Sequence, residues 1–143
     1  MKTKMIIVLL GFAFCSPTFA MKAFPRTPAP NGAKVYFVSP KNGATVKSPF
    51  KVIFGLEGMG VAPAGTNKPK TGHHHLLIDA QIKDYGLPIG KDAHHMHFGG
   101  GQTETILNLN PGKHTLQLVM GDRFHIPFKP PIISKRITIT VTK

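Results

Sequence analysis

Short runs in which hydrophobic and polar residues alternate recur along the chain, and they predict β-strands. Residues 136–142 place two isoleucines and a valine on one side and three threonines on the other, as in a strand with one buried and one hydrated face. Residues 51–57 alternate in the same way, and residues 34–38 and 73–80 are rich in strand-forming residues. No segment has a convincing helical period. The pattern therefore predicts an all-β protein.

Residues 105–120 predict a β-hairpin. The sequence Asn-Pro-Gly-Lys at 110–113 is a good β-turn, with proline at its second position and glycine at its third. If these two residues form the loop, Leu107 faces Leu116 and one face of both strands is apolar in a single register. The same register places His114 on the inner face, near the turn.

About six or seven short strands in about 110 residues are typical of an antiparallel, immunoglobulin-like β-sandwich. We expect residues 34–143 to form this single domain. Residues 21–33 contain three prolines and an Asn-Gly, which predicts a flexible leader. Residues 81–96 are predicted to be a long irregular excursion, and such loops are often functional.

The first twenty residues have the pattern of a removable export signal. Lys2 and Lys4 precede an apolar run at 5–14, and small residues at 18–20 suit cleavage before Met21. We therefore expect a periplasmic or secreted protein. No other stretch is long and apolar enough to span a bilayer.

The only cysteine, Cys15, lies within the predicted signal. A lipid anchor on Cys15 is an alternative, which the bulky Phe14 before it disfavours. Once the predicted signal is removed, the mature chain has no thiol. This excludes disulfide scaffolds, thiol nucleophiles, thiolate-bound zinc, iron–sulfur clusters and blue-copper sites.

The chain is strongly basic, with 18 Lys+Arg against 6 Asp+Glu. Removing the two lysines of the signal lowers the net charge from +12 to +10. A charge of this size attracts anionic partners. The lysines are scattered singly, however, and no basic arm or aromatic platform for nucleic acid is visible. The charge is more typical of a protein that is located beside anionic envelope polymers, and nucleic acid is not an expected partner.

Eight histidines remain in the mature chain, most of them in clusters. Residues two apart on a strand share a face, so His73 and His75 can reach one ion, and so can His95 and His97 if that stretch is extended. An all-imidazole ligand set suits copper or zinc, and nearby methionine favours reduced copper. Copper is the first candidate and zinc the second. The other available ligands are thioethers of Met59, Met96 and Met120 and the carboxylates of Asp79, Glu104 and Asp122.

Each histidine group also has a purely structural interpretation. A run of three histidines near a strand end binds metal adventitiously more often than by selection, and a methionine beside histidines usually fills space. His114 on an apolar face is a candidate core histidine that donates to a carbonyl. His125 is a candidate turn residue after Asp122. Three such groups in one small domain nevertheless favour a shared site.

Three strings carry a family resemblance: GHHHLLIDA (72–80), HMHFGGGQTET (95–105) and PGKHTLQLVMGDRFHIPFKPPIISKRITITV (111–141). They resemble domain-of-unknown-function family 4399, small exported bacterial proteins with no established activity. Members often have a histidine where this chain has Phe128, which counts against a ligand role there. The succession of the motifs H-x-H, G-x-H-T-L and D-x-x-H-x-P is also similar to that in periplasmic immunoglobulin-like domains near copper-handling proteins. The resemblance implies that the important positions of the family pattern are His73, His74, His75, His95, His97, Gly99, Gln102, Glu104, His114, Gly121, Asp122 and His125.

The leading hypothesis is a periplasmic, histidine-rich domain that stores or delivers copper, or else zinc, with a metal-handling protein as its partner. The alternative is an envelope module that binds anionic surface polymer. The sequence favours a non-catalytic protein, because it lacks recognisable catalytic motifs, the disulfide of copper–zinc superoxide dismutase and an N-terminal histidine for a histidine brace. The candidate metal ligands are His73, His74, His75, His95, His97, His114 and His125, and the candidates to orient them are Asp79, Gln102, Glu104 and Asp122.

Overall fold

The structure is a computed structural model that describes residues 25–143. The predicted signal and the first residues of the predicted leader lie outside this part of the chain. The described residues form no helix, so none there is long and apolar enough to cross a membrane. The strands are β1 (Lys34–Ser39), β2 (Thr45–Lys47), β3 (Phe50–Glu57), β4 (Gly60–Val61), β5 (Thr71–Ile78), β6 (His95–His97), β7 (Glu104–Leu107), β8 (Gly112–Gly121) and β9 (Ile137–Thr142).

The strands form two sheets that pack face to face. The smaller sheet has the order β1-β3-β7, and the larger has the order β2-β9-β8-β5-β4 with β6 also paired to β5. Most pairs are antiparallel, whereas β2 with β9 and β4 with β5 are parallel. The predicted β-sandwich is confirmed. It has nine strands rather than six or seven, because β2, β4 and β6 are only two or three residues long and carry little periodicity.

The core lies between the sheets and is filled by alternate residues of the long strands. Leu76 of β5, Leu118 of β8 and Ile139 of β9 are fully buried in it. The inward isoleucines and valine of β9 alternate with exposed or half-buried threonines, as the sequence predicts. Burial of this apolar surface is the main stabilising contribution to the fold.

The predicted hairpin between β7 and β8 is wrong. Strand β7 pairs with β3 in the smaller sheet, whereas β8 pairs with β5 and β9 in the larger one. Leu107 and Leu116 are both buried in the same core, but they enter it from opposite sheets. The apolar faces agree in the sequence because they line one core, and not because the strands are hydrogen-bonded.

Strand β5 is buried on both faces. His74, Leu76 and Ile78 face the core, whereas His73, His75 and Leu77 lie on the outer face of the larger sheet. Part of that outer face is covered by the excursion that follows β5. Its residue Ile89 packs with Leu77 and Val119 in a separate small apolar cluster. The outer face of β5 is thereby an enclosed environment.

The N-terminal part of the described chain lies against the domain. The sequence assigns residues 21–33 to a flexible leader, and residues 25–33 of it are described. Pro28 forms a parallel bridge with Lys129, and the Ala29 N–H donates to the Lys129 carbonyl at 2.9 Å. The domain boundary at residue 34 remains a prediction.

Candidate metal centre

Four imidazoles meet on the outer face of the larger sheet. They belong to His73 and His75 of β5, His97 of β6 and His125 of the turn after β8. One potential ligand atom from each lies within 4.8 Å of all the others. The Nε2 atom of His73 is 3.0 Å from Nε2 of His75 and 3.1 Å from Nδ1 of His125. We call these four residues the histidine cluster.

Strand pairing brings three members of the histidine cluster together. His73 and His75 are two residues apart on β5 and share its outer face. His97 lies directly opposite His75 in the antiparallel β5–β6 pair. Side chains in directly opposite positions are close neighbours on one face of a sheet, and the rings of His75 and His97 have centroids 5.0 Å apart. The alternation of β5 therefore builds half of the histidine cluster, and its pairing with β6 adds the third ring.

A tight turn adds His125. The chain leaves β8 at Gly121, opposite His73, and turns back at once. His125 adopts a left-handed conformation with φ of 66°, which is unusual for a residue other than glycine. The turn is held by Asp122, whose Oδ1 accepts from the Phe124 and Ile126 amides at 2.8 and 3.1 Å. The His125 ring then meets those of His73 and His97 edge to face, with centroids 5.0 and 4.7 Å away.

Two glycines leave the space that these rings occupy. A Cβ atom on Gly121 would lie 2.8 Å from Nε2 of His75, and one on Gly99 would lie 2.2 Å from Cε1 of His97. Neither glycine has a positive φ, so the requirement is for space rather than for backbone freedom. The family resemblance marks both positions as important, and the space that the His75 and His97 rings need explains why each is a glycine.

Burial keeps imidazoles of the histidine cluster neutral. Desolvation, followed by the neighbouring histidines, lowers the pKa of His75 to about 2. Desolvation also lowers the pKa of His73 to about 4, although the Asp122 carboxylate opposes the shift. The pKa of His97 is lowered mainly by burial and then by His125. These three imidazoles are therefore uncharged at neutral pH, which is the form that binds metal ions.

Several nitrogens in the histidine cluster are buried without a hydrogen-bond partner in the described chain. They are Nδ1 of His73, Nδ1 of His75 and Nε2 of His97. Leaving buried polar atoms unpaired is unfavourable, but the Nδ1 atoms of His73 and His75 are not the nitrogens that converge, and an ion held by their Nε2 atoms leaves them unpaired. Nitrogens around a tetrahedral ion with bonds of about 2.0 to 2.1 Å lie about 3.3 Å apart. The contacts of 3.0 and 3.1 Å at His73 are close to that spacing, so the residues present fit a transition-metal ion.

The structure places His74 in a different environment. It lies on the core face of β5, fully buried, with its ring 5.1 Å from that of Phe54. Both ring nitrogens are without a hydrogen-bond partner among the described residues. Burial lowers the pKa of His74 to about 4, and the nearby Gln102 backbone opposes the shift through a contact that falls short of hydrogen-bond geometry. His74 is separated from the histidine cluster by the sheet itself.

The remaining candidate histidines bind elsewhere. His95 shares the face of His97, but its Nδ1 contacts both carboxylate oxygens of Asp92 at 2.9 and 3.0 Å. His114 lies at the end of β8, where Nδ1 contacts Asp79 at 2.7 Å and Nε2 contacts the Asn110 carbonyl at 2.9 Å. Both His114 nitrogens have a partner. The contact with a carbonyl is as the structural interpretation expected, whereas the ring is half-buried rather than part of the core. Neither His95 nor His114 belongs to the group of nitrogens that converge.

Of the four residues expected to orient the ligands, only Asp122 lies at the histidine cluster. Asp79 binds His114 and the Thr115 amide, and Gln102 accepts from the Gly100 amide. Glu104 forms an exposed ion pair with Lys51 at 2.8 Å. Asp122 is buried and shapes the turn of His125.

The methionines lie on the other side of the sheet. Met120 is directly opposite His74, and Met96 is opposite Leu76, so both face the core, and Met59 also packs against it. Within residues 25–143, no thioether therefore shares the face of the histidine cluster. The argument for reduced copper from nearby methionine does not hold in this geometry. Phe128 is likewise buried in the core, in line with the expectation that this position supplies no ligand.

Two features of the site were not anticipated from the sequence. The Ile89 amide donates to the His125 carbonyl at 2.8 Å, which ties the excursion to the turn. Arg26 and Thr27 also contact this turn. The only signal for Ile89 was an apolar residue in a segment rich in glycine, proline and charge, and Ile82 gives the same signal. No sequence signal marked Arg26 or Thr27.

Comparisons with known proteins identify the family. No curated protein and no solved structure matches the chain. The family model described as Domain of unknown function (DUF4399) matches residues 52–142, a range that includes the whole histidine cluster. The resemblance of the three sequence strings is thereby confirmed, and the chain belongs to the DUF4399 family.

Proposed function

We propose that this protein binds one copper or zinc ion through His73, His75, His97 and His125 and stores or delivers it outside the cytoplasm. The observation that supports this most directly is the convergence of four imidazoles whose ligand atoms all lie within 4.8 Å of one another. Chance clustering of surface histidines does not explain it, because His73 and His75 are almost fully buried. The predicted export signal supports a location in the periplasm or outside the cell.

The donor set favours a divalent ion. Four neutral nitrogen ligands suit copper(II) and zinc, and affinity for nitrogen sites rises to a maximum at copper(II) in the divalent series. The thioethers that would favour reduced copper face the core. Copper(II) is therefore the first candidate and zinc the second.

The position of the histidine cluster suits reversible binding. His73 and His75 are held rigidly by a central strand, whereas His97 and His125 are only partly buried. An ion can thus reach the histidine cluster from the side of the turn without unfolding of the sheet. No described residue near the histidine cluster has the arrangement of a nucleophile and its base. Storage or delivery accounts for these features better than catalysis.

The test is metal analysis of protein purified from the periplasm without a histidine tag. We expect one equivalent of copper or zinc, lost on treatment with a chelator, and a rise in melting temperature when the ion is restored. Bound ligand at a hundred times its Kd stabilises the folded state by about 2.7 kcal/mol. Absence of a stoichiometric ion, with no thermal shift from either metal, contradicts the proposal.

Matched variants locate the ion. His97→Ala and His125→Ala should abolish stoichiometric binding, whereas His95→Ala and His114→Ala should retain it, because the latter two rings bind carboxylates outside the histidine cluster. If the two pairs lose metal equally, the ion lies elsewhere. The alternative is that the scattered lysines bind an anionic surface polymer. Salt separates it from metal binding, since attraction of a polyanion to the scattered lysines is screened at high ionic strength.

A further inference from the structure

The segment from Arg26 to Ala29 runs beside the residues that follow the His125 turn, and we call it the N-terminal strap. The Lys129 amide donates to the Thr27 carbonyl at 2.9 Å, and the Ala29 amide donates to the Lys129 carbonyl at 2.9 Å. Arg26 donates through Nε to the Pro127 carbonyl at 3.1 Å and through Nη2 to the Phe128 carbonyl. The N-terminal strap is thereby fixed along residues 127–129.

The N-terminal strap also binds the residue that shapes the turn. The Thr27 hydroxyl donates to Oδ2 of Asp122 at 2.6 Å. Asp122 is only 2% exposed, and its Oδ1 accepts from the amides of Phe124 and Ile126. Its Oδ2 atom has one hydrogen-bond donor in the described chain, which is Thr27.

Asp122 in turn fixes His125 on both sides. The two amides that its carboxylate binds belong to the residues immediately before and after His125. The His125 amide itself donates to the Asp122 carbonyl at 2.9 Å, and the Asp122 amide donates to the Ile126 carbonyl at 2.9 Å. Because His125 holds a left-handed conformation that costs free energy, it depends on these bonds to keep its ring in the histidine cluster.

We infer that Thr27 and Arg26 are positioning residues for His125, and that the N-terminal strap completes the metal site of the protein. The inference rests on the proposed function for its metal, but the contacts themselves are independent of it. Thr27 acts through the Asp122 carboxylate, and Arg26 acts through the carbonyls of Pro127 and Phe128. The metal affinity of the protein is therefore set partly by a segment that lies outside the sandwich and close to the predicted mature N terminus.

The test compares Thr27→Val, which removes the hydroxyl but keeps the shape, with Thr27→Ser, which keeps the hydroxyl. Zinc affinity is measured by competition with a chromophoric chelator. We expect Thr27→Val to bind zinc about tenfold more weakly, as expected for loss of a hydrogen bond to a charged group, and Thr27→Ser to bind as the wild type does.

A second measurement needs no metal. Hydrogen exchange of the Phe124 and Ile126 amides in the metal-free protein should accelerate about tenfold in Thr27→Val, with no change at the Thr140 amide, which bonds to Ala44 in a distant part of the sheet. Unchanged exchange at the turn overturns the inference, as does equal zinc affinity in Thr27→Val and the wild type. If the wild type binds no metal, the proposed function fails, and the exchange measurement alone decides whether the N-terminal strap holds the turn.

Discussion

The Nε2 atoms of His73 and His75 lie 3.0 Å apart on one face of β5, and both side chains are only 1% exposed. Two neutral imidazoles at this distance can share one hydrogen, and the Nδ1 atom of each ring is left without a partner among the described residues. A buried pair of this kind is unfavourable for the metal-free fold. Natural proteins retain such local costs mainly at functional sites.

The lack of room for a side chain at Gly121 gives the first prediction. In Gly121→Ala, the new Cβ would lie 2.8 Å from Nε2 of His75, so the ring must move away from the other ligands. We expect metal affinity to fall at least about tenfold, and overpacking to lower the free energy of unfolding by about 1–3 kcal/mol. Isothermal titration with zinc and urea denaturation measure the two effects. Gly90→Ala is the control, since no atom lies within 4 Å of its Cβ position. Equal zinc affinity in both variants would contradict the geometry.

The pKa values of the buried histidines predict how stability depends on pH. The pKa is lowered to about 4 in His73 and about 2 in His75, below the ordinary value of 6.5 that applies when the chain is unfolded. Below pH 6.5 the unfolded chain therefore binds more protons, and stability falls as the pH falls. Each such histidine contributes about 1.4 kcal/mol per pH unit until its folded pKa is reached.

Urea denaturation of the metal-free protein at pH 7, 6 and 5 measures this loss. We expect the midpoint to fall steeply between pH 6 and 5. A saturating metal ion should deepen the dependence, because protons compete with the ion for the same nitrogens. A midpoint that does not change across this range would show that the buried histidines are already protonated or are exposed.

The contact between His114 and Asp79 predicts that its contribution to stability changes with pH in the opposite direction. The hydrogen bond to the Asp79 carboxylate raises the pKa of His114, so the stability that this pair contributes is present below pH 6.5 and is lost as the pH rises through the folded pKa. His114→Ala should therefore lower the urea midpoint more at pH 6 than at pH 9. An equal loss at pH 6 and pH 9 in His114→Ala would show that the pair contributes packing alone.

Much of the histidine cluster follows from the sequence, because β-strand alternation is simple. The period of two puts His73 and His75 on one face, and the same rule assigns His95 and His97 to one face of β6. It does not reveal that only His97 lies opposite His75, since register between strands distant in sequence depends on tertiary packing. The position of His125 depends on a left-handed turn held by Asp122 and Thr27, which no local pattern encodes.

The wrong hairpin has a related cause. The apolar residues of β7 and β8 match in register, and the Pro-Gly pair between them is a good turn. The two strands nevertheless pair with β3 and β5, because crossing between sheets lets Leu107 and Leu116 fill one core from both sides. Hydrophobic pattern records which side chains are buried, and it leaves open which strands are hydrogen-bonded.

His74 provides the last prediction, because it is a histidine of the same run that the structure separates from the histidine cluster. Its ring is fully buried beside Phe54, and neither nitrogen has a hydrogen-bond partner in the described chain. Leucine is apolar and of similar size, so His74→Leu removes an unsatisfied polar group without leaving a large cavity. We expect the free energy of unfolding to rise by about 1–3 kcal/mol, measured by urea denaturation at pH 7, while metal stoichiometry stays at the wild-type value. His75→Leu is the matched variant on the opposite face, and it should lose the ion. Loss of the ion from a folded His74→Leu protein would place the metal on the core side of β5 and contradict the assignment of the histidine cluster.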